Sequence, residues 1–240
     1  MKPVCGDNTD DRRDGVIASC DARLVPDGSE RDRVRRSYDA VADEYARHLG
    51  EELAYKPLDR AFLSALIELT EKGASIADLG CGPGHVAAWI ADHDIPTVGI
   101  DLSAGMIKIG RERYPEVEFR EGDLLALPAS DAEFGSVIAF YSIIHLQASE
   151  LPAAFTEVHR VLRPSGRFLV SFHVGSEVRH RSDWWDHEVD VDFRFFEVES
   201  VVETLESAGF VVEARLERPN HPEEVETRRA YVLLRRDGEP

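Results

Sequence analysis

The sequence is poor in cysteine, in basic residues and in long apolar runs. Its three cysteines, Cys5, Cys20 and Cys81, are an odd and sparse set, which argues against a disulfide framework and fits a reducing compartment. Lys and Arg total 28 against 46 Asp and Glu, and the resulting net charge of −18 repels a phosphate backbone, so no nucleic-acid partner is expected. The most apolar stretch, 137–146, is too short to cross a bilayer. The polar N-terminus lacks a secretory signal, so we predict a cytoplasmic protein with no membrane partner.

The remaining composition is that of one globular domain. Hydrophobic residues make up 43% of the 240 positions and charged residues 31%, which is typical of a soluble protein with a full core. Residues 1–30 are polar and show no periodicity, so a disordered tail is predicted there. A single domain is predicted over 31–240.

Two amphipathic helices are predicted at the start of this domain, as an N-terminal helical extension over 31–72. In the first, apolar residues recur at spacings of three and four and share one face: Val34, Tyr38, Val41, Ala42, Tyr45 and Leu49. The second follows Lys56, and Pro57 suits its first helical position.

Short apolar runs alternate with amphipathic stretches from residue 74 onward. Strands are predicted at 74–79, 97–101, 117–123, 134–142 and 167–173, and helices at 83–93, 103–113, 149–162 and 197–208. The last two strands, 210–217 and 229–235, have no helix between them and should pair antiparallel. This order predicts an α/β fold: a Rossmann-like, seven-stranded, mostly parallel sheet with helices on both faces and the last strand antiparallel.

A glycine-rich turn, Asp78-Leu79-Gly80-Cys81-Gly82-Pro83-Gly84, joins the first of these strands to a helix. Glycines allow a tight turn and a close backbone approach to a ligand. A dinucleotide site needs a glycine where His85 stands, which counts against a nicotinamide oxidoreductase. A phosphate-binding P-loop is excluded because no Gly-Lys-Ser/Thr follows.

The glycine turn resembles the first motif of class I S-adenosylmethionine (SAM)-dependent methyltransferases, and the resemblance extends from about Arg31 to the C-terminus. It implies SAM as cofactor. In that family an acid ending the second strand binds the ribose hydroxyls, and an acid ending the third binds adenine; Asp101 and Asp123 hold these positions here. The first helix folds over the cofactor in similar enzymes, so Tyr38 and Tyr45 either face its sulfonium cation or only pack the helix on the domain. The implied cofactor residues are Tyr38, Tyr45, Asp78, Gly80, Cys81, Gly82, Gly84, Asp101, Leu102, Met106, Asp123, Leu124 and Phe140.

The segment 158–166 resembles the family's stretch before its fifth strand, with Ser165 in place of the usual glycine. The reaction implied is a direct displacement at the methyl carbon, in which the protein mainly positions the reactants and excludes water. A base is needed only for an acceptor that arrives protonated with a high pKa. His145 follows the fourth strand, where it either lines the acceptor site, which we favour, or acts as that base. The same two roles are considered for His173, at the end of the fifth strand, with weaker support.

An insertion over 175–196 combines aromatic and charged residues after the fifth strand. It is predicted to form the acceptor pocket, the alternative being a small satellite core. Arg179 and Arg181, with Arg228 and Arg229, either hold an anionic acceptor or form a solvated strand end. The acceptor residues predicted are Tyr141, His145, His173, Trp184, Trp185 and Arg229. The histidine spacing fits no common zinc pattern, and no metal is expected.

These observations predict a SAM-dependent methyltransferase that methylates an oxygen, nitrogen or carbon atom of a small-molecule acceptor. The alternative is a SAM-binding regulatory protein without transfer activity. A protein or RNA methyltransferase is less favoured, because the charge is acidic and no Asn/Asp-Pro-Pro-aromatic motif follows the fourth strand. The acceptor's identity and the oligomeric state are left open by the sequence.

Overall fold

A computed structural model describes residues 29–238, so the tail predicted over 1–30 lies outside the described residues except for its last two positions. Helix α1 (Glu30–Leu49) starts there, and the side chain of Ser29 caps it by accepting a hydrogen bond from the Asp32 N–H. Helix α2 (Pro57–Leu69) follows, with Pro57 at its start. Within 29–238, no helix combines the length and the apolar character needed to cross a membrane.

The rest of the described chain combines strands with helices and ends in two strands. In chain order the elements are β1 (Ile76–Leu79), α3 (His85–Ala91), β2 (Thr97–Asp101), α4 (Ala104–Arg113), β3 (Glu118–Glu121), β4 (Phe134–Phe140), α5 (Leu151–Val161), β5 (Leu162–Val174), β6 (Val178–Trp184), β7 (His187–Arg194), α6 (Val198–Ser207), β8 (Phe210–Arg218) and β9 (Arg228–Arg236).

Seven of these strands form one sheet in the order β3-β2-β1-β4-β5-β9-β8. The neighbours from β3 to β5 are parallel, and β9 runs antiparallel to both β5 and β8. The predicted fold class is therefore confirmed. The strand order reverses at β1, which has β2 on one side and β4 on the other. In open α/β sheets, ligands bind in the crevice at this point, outside the carboxyl ends of the strands.

The centre of the sheet is buried on both faces, which explains why its strands read as continuous apolar runs. Phe134, Val137 and Ile138 of β4 are fully buried. Helix α5 covers one face, and its apolar residues are buried from Leu151 to Val161. This packing holds the strand ends, and the loops that follow them, in fixed positions.

The predicted insertion is a β-hairpin. Strands β6 and β7 pair with each other in a separate two-stranded sheet. Trp185 and Asp186 form the tip with φ of 51° and 64°, as a two-residue hairpin turn requires. The hairpin packs on α1, where Val189 and Val191 of β7 join a buried cluster with helix residues.

The fifth strand begins earlier than predicted. The strand is predicted from residue 167, but β5 starts at Leu162, and its pairing with β4 shifts register between Phe134 and Ser136. Ser165 has a φ of 62°, a left-handed conformation that favours glycine. This backbone requirement accounts for the glycine that is usual at this place in the family.

Candidate active site

A cavity of about 660 Å³ opens where the strand order reverses. Its floor is made by the residues that end or follow β1 to β5, and its roof by α1 and the β6–β7 hairpin. All predicted cofactor and acceptor residues line this cavity except Gly84 and Met106. The two sets of residues, chosen at separate places in the sequence, are therefore brought together around one space.

Gly84 and Met106 pack against neighbouring residues and do not line the cavity. Gly84 has a φ of 86° at the start of α3, and a Cβ there would collide with the Phe119 ring. Met106 is fully buried in a cluster with Ala42 and Ala46 of α1. Its side chain faces α1 because that helix packs across α4, a tertiary contact that the local sequence does not reveal.

The glycine turn bends sharply over the end of β1. Gly80 and Gly82 have φ of 70° and 53°, a conformation that other residues rarely adopt. The N–H groups of Gly80 and Cys81 donate to the Ile100 carbonyl at 2.7 and 3.2 Å, which ties the turn to β2. A Cβ on Gly80 would strike Ser142, so the loops after β1 and β4 meet closely at this point.

Asp101 is anchored by two backbone donors. Its Oδ2 accepts the N–H of Gly82 and its Oδ1 accepts the N–H of Ser103, each at 2.8 Å. A carboxylate oxygen can accept more than one hydrogen bond, so both oxygens retain capacity for a ligand in the cavity. Burial raises the pKa of Asp101 to about 6.

Several buried polar atoms of cavity-lining residues have no hydrogen-bond partner among residues 29–238. They are Asp78 Oδ2, His85 Nδ1, Ser142 Oγ and Arg31 Nε, the last of which lies 3.5 Å from Asp123 Oδ2. Asp78 is only 2% exposed, and burial raises its pKa to about 7. Unpaired buried polar atoms are costly, which indicates that a polar ligand pairs with them. SAM fits this arrangement, because its ammonium and ribose hydroxyls are donors and carboxylates are acceptors.

The predicted adenine acid is joined to α1. Asp123 Oδ1 accepts the N–H of Leu125 at 2.9 Å. Its Oδ2 lies 3.5 Å from Nε of Arg31, which also donates to Glu150 at 3.3 Å. Arg31 was not predicted as a site residue. Its two ion pairs hold the first turn of α1 over the end of the cavity where Asp123 lies.

One side of the cavity is an aromatic wall formed by Tyr38 and Tyr45 of α1 and by Trp184, Trp185 and Phe193 of the hairpin. The ring centroids of Trp184 lie 5.8 Å from both tyrosines and 5.6 Å from Phe193, in edge-on contacts. Trp185 stacks on Trp184 at 4.9 Å. Aromatic pairs at these distances are stabilising, so the wall holds the hairpin to the helix.

His145 has both ring nitrogens engaged. Its Nδ1 lies 3.0 Å from the carbonyl oxygen of Asp192, which can only accept, so Nδ1 carries the proton. The lone pair of the neutral ring is then on Nε2, and the Tyr38 hydroxyl donates to it at 2.7 Å. Burial lowers the pKa of His145 to about 4, which keeps the ring neutral at pH 7.

His173 and Tyr141 lie side by side at the ends of β5 and β4, with ring centroids 5.1 Å apart. Nδ1 of His173 shares a hydrogen bond with the Thr227 hydroxyl at 3.0 Å. Burial, aided by the positive charge of Arg229, lowers the pKa of His173 to about 4. Tyr141 has a φ of 53°, and its hydroxyl bonds the Tyr231 hydroxyl at 2.8 Å.

A buried ion cluster closes the far end of the cavity, and sequence analysis found only one of its members, Arg229. Glu224 is its centre: Arg218 Nη1 lies at 2.6 Å, Arg229 Nε at 3.3 Å and Lys56 Nζ at 3.4 Å from its oxygens. The cluster consists of Glu52, Lys56, Asp59, Arg218, Glu224 and Arg229. Three carboxylates balance three cations, so the charge of Arg229 is neutralised inside the protein.

Within residues 29–238, no group of three or more His, Cys, Asp or Glu side chains is placed to hold a metal ion.

Sequence comparison points to one kind of domain. A family model described as a methyltransferase domain matches residues 76–166. The chain is 30% identical over 148 residues to a malonyl-(acyl-carrier protein) O-methyltransferase of Serratia marcescens, a match that covers 61% of this chain and 57% of that protein. It is 34% identical over 140 residues to a demethylmenaquinone methyltransferase of Beutenbergia cavernae, covering 58% and 55%.

The chain thus spans just over half the length of these curated relatives. Among solved structures, magnesium protoporphyrin IX methyltransferase from Synechocystis PCC 6803, with bound SAM, superposes with a TM-score of 0.65 at 16% identity. The superposition covers 87% of this chain and 97% of that one. At this identity the likeness shows the fold. Together with the family match it confirms the resemblance predicted from the glycine turn and the strand-end acids.

Proposed function

We propose that this chain, which contains a class I SAM-dependent methyltransferase domain, binds SAM in the cavity and transfers its methyl group to a small-molecule acceptor. The observation that carries the proposal is the Asp101 carboxylate, fixed by the N–H groups of Gly82 and Ser103 and aimed into the cavity at the end of β2. Bound there, SAM supplies an electrophilic methyl group on a sulfonium sulfur.

The residues divide between two ends of the cavity in this proposal. Asp101 accepts the ribose hydroxyls, Asp123 and the Leu124 N–H bind adenine, and Asp78 accepts the ammonium group. The acceptor lies between the aromatic wall and the pair formed by Tyr141 and His173. Closure of α1 and the hairpin over both ligands excludes water from the transfer.

His145 positions Tyr38 in this proposal and does not act as a base. Its Nε2 lone pair already takes the Tyr38 hydroxyl proton in a hydrogen bond, so no free lone pair faces the acceptor. The hydrogen bond instead holds the Tyr38 hydroxyl at His145, beyond the carboxyl end of β4. It thereby fixes the position of α1, which forms the roof of the cavity.

The two curated relatives are named for malonyl-(acyl-carrier protein) and demethylmenaquinone, which supports an organic acceptor. The net charge of −18 supports the absence of a nucleic-acid partner. A cytoplasmic location, also proposed, rests on the sparse cysteines, of which Cys81 is a buried free thiol.

Calorimetric titration with SAM, followed by a turnover assay, tests the proposal. One SAM is expected to bind per chain, and incubation with SAM and a metabolite panel should produce S-adenosylhomocysteine together with a methylated metabolite. Absence of SAM binding would refute the whole proposal. Binding without turnover on any acceptor would favour the regulatory alternative.

Replacing Trp184 with leucine should impair the acceptor end selectively. The substitution removes an aromatic face from the wall of the proposed acceptor pocket, and an aromatic contact with an acceptor is worth about 0.5–1.5 kcal/mol. The acceptor KM should rise roughly tenfold, while the Kd for SAM changes by less than about twofold. Trp89→Leu is the matched control, because Trp89 lies on α3 against His93 and outside the cavity. Equal losses of SAM and acceptor binding in Trp184→Leu would mean that the hairpin is structural.

A further inference from the structure

The positively charged side chains that line the cavity differ in whether they have a carboxylate partner. They are Arg31, Arg35, Lys56, Arg179, Arg181 and Arg229. Each has a carboxylate partner within 4.0 Å except Arg181, whose side chain has neither an ion pair nor a hydrogen bond to any residue in 29–238. In a chain with 46 Asp and Glu residues, this guanidinium is left available at the wall of the site.

Arg181 is exposed to solvent, and it lies on the face of the hairpin that lines the cavity. It pairs in register with Val191 of β7, which is 1% exposed and packs towards α1, and directly paired residues point to the same face of a sheet. Its guanidinium sits over the Trp184 ring at 5.3 Å. A guanidinium stacked on an aromatic ring keeps its edge N–H donors free, in a fork that matches a carboxylate.

The acceptor end offers little capacity to remove a proton. The Nε2 lone pair of His145 is held by Tyr38. His145 and His173 both have pKa values of about 4, so neither takes a proton readily from an alcohol or an amine. Burial raises the pKa of Tyr141 to about 12 and that of Tyr38 further, which keeps both hydroxyls neutral. This environment suits an acceptor that arrives already ionised, as carboxylic acids do at neutral pH.

We propose that the acceptor is a carboxylic acid with an apolar or aromatic body, held as its carboxylate by Arg181, and that the product is its methyl ester. The inference rests on the proposed function. A bond forms between a carboxylate oxygen and the methyl carbon, and the bond from that carbon to sulfur breaks with its electron pair left on sulfur. The negative charge of the carboxylate and the positive charge of the sulfonium cancel, and no proton is transferred.

A binding experiment without SAM tests the role of Arg181. The full-length protein is titrated by calorimetry with 4-phenylbutyrate and with the uncharged 4-phenylbutyramide. The acid is expected to bind about tenfold or more tightly than the amide, as a charge-assisted pair with a guanidinium implies. Arg181→Ala should abolish this difference and Arg181→Lys should retain part of it. Arg215→Ala, at an exposed arginine of β8 paired with Glu199, is the control and should leave the difference intact.

Equal affinity for acid and amide, including failure of both to bind, would overturn the role of Arg181, as would an unchanged difference in Arg181→Ala. The second measurement identifies the product. Methyl-labelled SAM is incubated with the protein and a small-molecule extract, and the labelled products are treated with mild alkali. Release of the label as methanol is expected of an ester, whereas alkali-stable label would refute carboxylate methylation and leave the methyltransferase proposal standing. Absence of SAM binding would instead refute the proposed function itself.

Discussion

Replacing Asp101 with alanine is expected to weaken SAM binding roughly 30- to 1000-fold, the equivalent of about 2–4 kcal/mol for two hydrogen bonds to a charged acceptor. The substitution also frees the N–H groups of Gly82 and Ser103, which Asp101 holds at 2.8 Å. The substitution therefore removes hydrogen bonds that hold the glycine turn, and it also removes the acceptor for the ligand. Calorimetric titration of both proteins measures the change, and an unchanged SAM affinity would refute the cofactor assignment.

The pH dependence of the same affinity is the control for this prediction. Burial raises the pKa of Asp101 to about 6 and that of Asp78 to about 7. A protonated carboxyl group loses acceptor capacity, so the wild-type affinity should fall by about tenfold or more as the pH is lowered from about 8 to about 5. Asp101→Asn should retain only the part of this fall centred near pH 7. A flat profile in the wild type would mean that neither carboxylate contacts the ligand.

The cofactor end of the site could be predicted because its signals are local. Asp101 and Asp123 each follow a short apolar strand, and the carboxyl ends of parallel strands meet at one edge of the sheet. Gly80 and Gly82 stand where the backbone has positive φ. The exceptions are Gly84 and Met106. Both are close in sequence to cavity-lining residues, but in the folded chain Gly84 packs against Phe119 and Met106 packs against α1.

The acceptor end was less predictable because it depends on tertiary contacts. Strand β6 exposes nearly all its side chains, so it shows no alternation of apolar and polar residues from which a hairpin could be recognised. Lys56 and Glu224 are 168 positions apart in the sequence and meet only in the folded chain. Charged residues in a sequence usually indicate a solvated surface, and no local pattern marks these as buried.

Replacing Glu224 with glutamine is expected to lower the free energy of unfolding by about 3–5 kcal/mol, since removing one partner from a buried ion cluster leaves uncompensated charge. The Glu224 side chain is 4% exposed, and those of Lys56 and Arg218 are each 5% exposed. Without the Glu224 charge, Lys56, Arg218 and Arg229 face only two carboxylates in the cluster. Urea denaturation of both proteins at neutral pH measures the loss.

The pH dependence of that loss distinguishes a charge effect from a packing effect. Burial alone would raise the pKa of Glu224, but the hydrogen bond from Arg218 and the other nearby donors and cations lower it to about 2, against an ordinary value of 4.5. Its ionic contribution is therefore complete above pH 4.5 and is lost as the pH falls towards about 2. The difference in stability between wild type and Glu224→Gln should shrink over that range. Glu223→Gln, next in sequence but exposed, is the control and should cost less than about 0.5 kcal/mol at any pH. A loss in Glu224→Gln that stays constant down to the acid limit would mean that packing, and not charge, holds this end of the cavity.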